Sequence, residues 1–381
     1  MPTAEAGAAA NVLTIEQLGE VYFKKYVSKK TAQPLSKSDR YRGHLIMRTT
    51  IERPNGVGVR FGGLDVLGIT RHDLDALRDA QLVVRVEKFK DSRGRAQTWV
   101  RGGHVSANRC LVRLRAFYGR AVRGDYVAAT PFRKGTESVV ELFREAPRER
   151  RLAPDVFDAD GALKEAGEER RLLAAAGPHL QALIVAALET GCRRGELLSL
   201  RWRQVRFDLN EIHLPAKQTK ARRPRHLPMS LRLRALIEMR RTDPAGQDYG
   251  PDKFVFGDVA GDQVKSIDTA WENAVLKAHG VKVQRNGRAG LEPACRDALR
   301  RIDLHFHDLR REAASRLLEG GMPLNYLQRF IDHANISTTS RYLQGTPQGM
   351  HDALKRVEES RRAVPSTQSP LTIDTTKEVS H

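Results

Sequence analysis

Three cysteines in 381 residues, Cys110, Cys192 and Cys295, are too few and too widely spaced for a disulfide framework or for paired zinc ligands. Such sparse, odd-numbered usage suits a reducing cytoplasm, the compartment expected for this chain. Long apolar runs are also missing. The most apolar stretch, Leu180 to Leu188, is flanked by His179 and Glu189 and is far shorter than a membrane-spanning helix. The stretch from Met1 to Asn11 lacks the basic start and apolar core of a secretory leader, and its small residues predict disorder over 1–11. No segment repeats. Carboxylates are in deficit, 46 Asp and Glu against 65 Lys and Arg, and they form no cluster with metal-ligand spacing. That argues against a metal nuclease, and no metal or other cofactor is expected.

What is abundant is positive charge. A formal net charge of +19 points to a polyanionic partner, because neutralising phosphates releases counterions. An acidic membrane surface or a ribosomal setting would suit the same charge. At 40% hydrophobic and 29% charged, the chain is globular and long enough for two compact domains.

The first half reads as helical. Leu18, Val21, Tyr22 and Tyr26 fall at helical spacing, Thr70 suits an N-cap, and Asn55 to Gly63 reads as a loop. Gln81 to Gly103 is a hairpin or a mobile insertion around Asp91-Ser92-Arg93-Gly94. From Ser106 a helix presents Leu111, Leu114, Tyr118, Ala121 and Val122 on one face and Arg109, Arg113, Arg120 and Arg123 on others. Those arginines suit DNA-backbone contact as a set and a solvated surface singly. Lys134 to Arg151 is charged and aperiodic, a linker whose Arg144, Arg148, Arg150 and Arg151 suit either solvent or DNA. Beyond Leu152, the stripe Leu180, Leu183, Ile184, Ala187 and Leu188 predicts a buried helix. Short strands follow near Val205, Glu211 and Arg225, and helices from Ile267, over His307–Glu319 and over Pro323–Asp332.

Four constellations carry chemistry. In Leu304-His-Phe-His-Asp-Leu-Arg, His307 and Arg310 lie three residues apart on a helix, a group titrating near neutrality beside a planar anion clamp. In Thr190-Gly-Cys-Arg-Arg-Gly-Glu, a turn at Gly191 presents Arg193, and Glu196 stands one helical turn later to orient it. Leu214 to Met229 reads as strand, basic tip and strand, the tip offering Lys217, Lys220, Arg222 and Arg223 to DNA. Finally His333 is followed by Asn335 or Ser337 as a helix cap and then by Tyr342.

Together, Arg193, Lys220, His307-Asp-Leu-Arg310, His333 and Tyr342 resemble the tyrosine recombinase (phage integrase) family in type, order and spacing, including the nine residues from His333 to Tyr342. Ser106 to Phe132 resembles the end of that family's core-binding domain. Three departures stand out: Asp332 where the family usually has Gly before the His, Arg311 where His is frequent, and Cys192 in place of an aliphatic residue. Of these, Asp332 would put a carboxylate beside the phosphate unless it points away or pairs with Arg329.

The resemblance implies a mainly α fold: a helical DNA-binding domain over 12–133, a linker over 134–151, and a mostly helical catalytic domain over 152–347 with a small antiparallel sheet. A C-terminal helix and tail occupy 348–381, the stripe Met350, Ala353, Leu354 and Val357 packing on its own domain or on a neighbouring protomer. It implies a site-specific recombinase that integrates or excises a mobile element at attachment sites in double-stranded DNA, acting as a tetramer. Arg193 and Arg310 would clamp the scissile phosphate while Tyr342, with an ordinary pKa of about 10, attacks it. His307 is in the set that can take the proton, Lys220 would protonate the leaving 5′-oxygen, and His333 would hydrogen-bond the phosphate. The 3′-phosphotyrosyl bond conserves the phosphodiester energy, so no ATP is needed. A type IB topoisomerase-like enzyme and a non-catalytic DNA-binding regulator remain the alternatives. Lys217 competes with Lys220 for the hairpin role. Lys220→Ala is expected to lose cleavage by about 10²–10⁴-fold, the range of a general acid, with recovery on a 5′-phosphorothiolate substrate; rescue of Lys217→Ala alone would reverse the assignment.

Overall fold

The computed structural model describes residues 13–26, 34–90, 96–145, 148–219, 222–287 and 290–332, with a few positions between 351 and 359. It divides into two compact units, Met1–Pro147 and Arg148–His381. The first contains helices α1 (Ile15–Lys25) and α2 (Lys37–Arg48), strands β1 (Thr50–Glu52) and β2 (Gly58–Arg60), helix α3 (Arg71–Ala80), strands β3 (Arg85–Lys90) and β4 (Ala96–Arg101), helix α4 (His104–Arg123), and strands β5 (Arg133–Lys134) and β6 (Glu137–Ser138). Helix starts follow local chemistry. Thr14 and Gln17 close a reciprocal capping box on α1, and Thr70 and Asp73 do the same on α3. Asp73 serves twice, also receiving Arg53 at 2.9 Å.

Helix α4 is the spine of this unit. Leu111, Leu114, Phe117, Tyr118 and Ala121 are buried along one face, and Phe117 meets Tyr22 of α1 edge to face at 5.4 Å. The Tyr118 hydroxyl donates to the Val66 carbonyl at 3.0 Å, satisfying its polar end inside the core. Gln81 to Gly103 is a hairpin, β3 pairing antiparallel with β4 from Arg85↔Arg101 to Lys90↔Ala96. The Asn55 segment, expected as a plain loop, is the connection of a second hairpin, β1 with β2. Val140, inside the charged stretch after Pro131, is buried in this unit's core.

The second unit contains β7 (Val156–Phe157), β8 (Leu163–Glu165), α5 (Glu168–Ala175), α6 (Pro178–Thr190), α7 (Arg194–Leu198), β9 (Val205–Arg206), β10 (Glu211–Leu214), β11 (Arg225–Pro228), α8 (Leu231–Met239), α9 (Asp268–Ala278), α10 (Pro293–Ile302), α11 (Phe306–Glu319) and α12 (Leu324–Phe330). Helix α6 is apolar on nearly all faces because it runs through the core, packing against α11, α8 and α5. Pro178 opens it at a position where a missing N–H costs nothing. The sheet has the order β11-β10-β9, wholly antiparallel. Ile212, Leu214 and Leu227 face the core, while His213 and His226 stack outside at 4.4 Å. The fold is mainly helical with small antiparallel sheets, as the sequence implied. Among the described residues no helix is long and apolar enough to cross a membrane.

Leu309 is fully buried on α11, in the core that α6 also builds. Leu309→Ala should lower the stability of the second unit by about 2–5 kcal/mol, read as an earlier urea midpoint; an unchanged midpoint would contradict this core.

Candidate active site

The sharp turn between α6 and α7 is the foundation. Gly191 takes a left-handed φ of +58°, and a Cβ there would stand 3.1 Å from the Ile331 side chain, so any other residue would meet backbone strain and press on Ile331. Arg193 follows at the N-cap of α7. Its Nη1 donates to Glu196 Oε1 at 2.7 Å, and its backbone N–H donates to Glu196 Oε2 at 2.9 Å. Glu196 is only 3% exposed, and Arg225 from β11 donates to it from the other side at 2.9 Å. Burial alone would raise the Glu196 pKa; the Arg225 charge, then the Arg193 contacts, outweigh it and hold the carboxyl below its ordinary value. The orienting role expected of Glu196 is thus visible in the geometry.

Arg310 projects from α11 into the same region and is buried. It donates to the Gly191 carbonyl at 2.6 Å and to the Ile331 carbonyl. Arg193 Nη2 donates to the next carbonyl along that segment, that of Asp332, at 3.2 Å. Two guanidinium groups from separate elements therefore hold the C-terminal end of α12, which leads directly to His333. His307, one turn before Arg310, is exposed. Surrounding protein nonetheless desolvates its ring in part, and that, followed by the Arg310 charge with smaller help from Arg193 and Arg311, lowers its pKa. A cleft of about 660 Å³ lies beside it, lined by Trp271, His305, Phe306 and His307 among others.

Helix α11 is itself anchored by charge. Asp308 accepts the His305 backbone N–H at 2.8 Å, completing a cap, and takes both Nε and Nη2 of Arg148 at 2.7 Å. Glu312, further along, receives Arg151 at 3.1 Å, Arg316 at 2.8 Å and the Leu152 N–H at 3.2 Å. Arg150 pairs with Glu168 on α5. Arg148, Arg150 and Arg151, which the sequence left between solvent and DNA, are thus engaged with carboxylates of their own unit.

Sequence reasoning did not single out three of these residues. Arg225 read as a strand residue, yet it is buried, bonded to Glu196 and to the Cys192 sulfur at 3.1 Å, and its Nε and Nη1 are buried without a hydrogen-bond partner among the described residues. Asp308 and Glu312 carried no role of their own in the sequence. Their signal was there in spacing: His305 to Asp308 is a cap interval, and Glu312 to Arg316 an i,i+4 pair. Asp332 neither points away nor pairs with Arg329. Its Oδ2 accepts from Arg193 Nη1 at 2.8 Å.

Lys220, His333 and Tyr342 lie outside the described residues, as do Met350, Ala353 and Val357; Leu354 is exposed. Of the other arginines considered for DNA, Arg109, Arg222 and Arg223 are exposed, Arg113 pairs with Asp39, and Arg120 lies 5.4 Å over the Tyr26 ring. Among the described residues no group of three His, Cys, Asp or Glu side chains could hold a metal ion.

Residues 165–348 match the model of the phage integrase family. The chain is 29% identical over 157 residues to a shufflon-specific DNA recombinase of Escherichia coli, covering 41% of this chain and 32% of that protein, so it spans about a third of that relative's length. Among solved structures it is similar to the Tn1549 transposon integrase in complex with circular intermediate DNA (TM-score 0.56, 18% identity, 90% of this chain and 99% of that one). It is also similar to a lambda integrase tetramer bound to a Holliday junction (TM-score 0.52, 14% identity, 87% and 78%). At these identities the likeness speaks for the fold.

The site's electrostatics make His307 a neutral imidazole at pH 7. A folded pKa below the free value of about 6.5 means its contribution to stability is fully present above that value and is lost as pH falls through the folded pKa. An NMR titration of the ring, assigned with His307→Asn, should give a midpoint below that of free histidine; a midpoint at or above it would refute the description.

Proposed function

As a member, through residues 165–348, of the phage integrase family of tyrosine recombinases, this chain is one for which we propose site-specific cleavage and rejoining of double-stranded DNA, with Tyr342 as nucleophile. The observation that carries the reading is the convergence of Arg193 and Arg310 on the end of α12, with the His307 ring within electrostatic reach of both; that segment continues into His333 and, nine residues on, Tyr342. Two guanidinium groups fixed by buried partners suit a phosphodiester whose non-bridging oxygens gain charge as the nucleophile arrives. Glu196 holds Arg193 and the buried core holds Arg310, so the two side chains are oriented before DNA binds.

The tyrosine hydroxyl must lose its proton during attack. The neutral imidazole of His307 suits that role, since it can accept a proton at physiological pH while the adjacent arginines disfavour its charged form. Lys220 would return a proton to the 5′-oxygen as it leaves. The covalent product is a 3′-phosphotyrosyl ester, and attack by a 5′-hydroxyl of another strand reverses the step. Integration or excision of a mobile element, on attachment sites bound by a tetramer, is the biological setting we assign. It is supported by the likeness to the transposon integrase bound to circular intermediate DNA and to the lambda integrase tetramer bound to a Holliday junction. The exposed Arg109, Arg222 and Arg223 are proposed to contact the DNA backbone, with Arg113 and Arg120 joining them through the faces their partners leave open.

The test uses nicked suicide duplexes tiled across the DNA that flanks the coding sequence, with SDS-resistant adduct as the readout. The full chain should form adduct in EDTA as well as in Mg²⁺, because arginines supply the positive charge a metal would provide. Tyr342→Phe should bind the same duplexes and form none. Adduct with the Phe variant would remove Tyr342 as nucleophile, and binding without adduct in the unaltered chain would favour a non-catalytic DNA-binding role.

A further inference from the structure

The geometry points to Asp332 as a specificity-determining residue: its carboxylate occupies the seat of the scissile phosphate on Arg193, so that only DNA held by enough other contacts displaces it. The inference rests on the reading of Arg193 as a phosphate ligand. Its basis is the backbone and the ion pair together. Asp332 has a left-handed φ of +56° immediately after α12, a conformation glycine adopts freely and aspartate tolerates better than most residues. At that point a side chain is optional, and the one present is a carboxylate.

That carboxylate is 9% exposed and sits 2.8 Å from Arg193 Nη1, while its own carbonyl accepts from Nη2 at 3.2 Å. The Nη1/Nη2 end of the guanidinium, one of the two edges that can grip an anion in a fork, is thereby engaged. Orientation of Arg193 does not require this. Glu196 already holds Nη1 at 2.7 Å and the backbone N–H at 2.9 Å from a buried position, braced by Arg225. Asp332 is thus a second carboxylate on an arginine that one carboxylate suffices to place.

A phosphodiester carries the same charge and seeks the same donors. The two anions cannot share the Nη1/Nη2 end without like charges at hydrogen-bond separation, so phosphate capture there and the Asp332 contact exclude one another. Displacement draws on binding energy from contacts elsewhere on the DNA, which a cognate site supplies more fully than a random one. The device raises the threshold for clamping the phosphate and sharpens discrimination between sites.

Inorganic phosphate titrated against the full chain, followed through the arginine Nε resonances, tests the competition directly. Asp332→Asn and Asp332→Gly should bind phosphate about tenfold tighter than the unaltered chain, the equivalent of about 1.4 kcal/mol. The gain should vanish in the Arg193→Ala background. In the adduct assay, the ratio of cleavage on the flanking-DNA duplex to cleavage on a scrambled duplex should fall in both variants. Unchanged or weaker phosphate binding in variants that melt like the parent would overturn the proposal, leaving Asp332 a scaffold. If Asp332→Asn fails to fold, Asp332→Gly, matched to the positive φ, decides; loss of folding in both would also overturn it. Tighter phosphate binding with no adduct from any form would uphold the competition while rejecting transesterification.

Discussion

Glu196 is the residue on which the site depends. A carboxylate this deeply buried is costly to desolvate, and it persists because it accepts from the Arg193 guanidinium, the Arg193 backbone and the Arg225 guanidinium at once. Removing any of those donors would leave charge stranded in a closed space. The reverse also holds: Glu196 removes the freedom of two long side chains. A short helix of five residues, α7, and a strand, β11, are joined through this single group.

The second constraint is the placement of α11. Its apolar face, with Leu309 and Ala313 fully buried, binds it into the core beside α6. Its acidic residues Asp308 and Glu312 are fastened by Arg148 and Arg151, which come from the stretch that opens the second unit. His307 and Arg310 are what such a doubly anchored helix presents. One consequence is an uneven use of positive charge. Many arginines in a strongly basic chain are consumed in ion pairs, and those that matter at the site are few.

Recognition of the fold and of the site came through different kinds of information. The stripe Leu180, Leu183, Ile184, Ala187 and Leu188 identified α6 because a buried helix leaves an unbroken apolar signature, and alternation around Ile212 and Leu227 identified the sheet. Helix α8 was not anticipated. Leu231 and Met239 of α8 are exposed apolar residues that blur its periodicity. Pro323 was assigned to the first turn of α12 and stands at its cap instead, a shift of one residue that local pattern cannot resolve. Glu196 could be paired with Arg193 from spacing alone, since both lie on one helical turn. Arg225 could not, because 29 residues separate it from Glu196 along the chain.

Residue order and spacing by themselves determined the family resemblance and the helical character, because these follow from side-chain type and local periodicity; the set Arg193, Lys220, His307, Arg310, His333 and Tyr342 is what that resemblance implies. Partnership was decided only in three dimensions. Whether Arg148 met solvent, DNA or Asp308, and whether Asp332 turned toward Arg329 or Arg193, depended on which elements packed together. The turn at Gly191 and the left-handed backbone at Asp332 brought residues 139 positions apart to within hydrogen-bond distance. An ion pair is a short-range contact between groups that sequence does not place near each other, and only the packed core can say which charges meet.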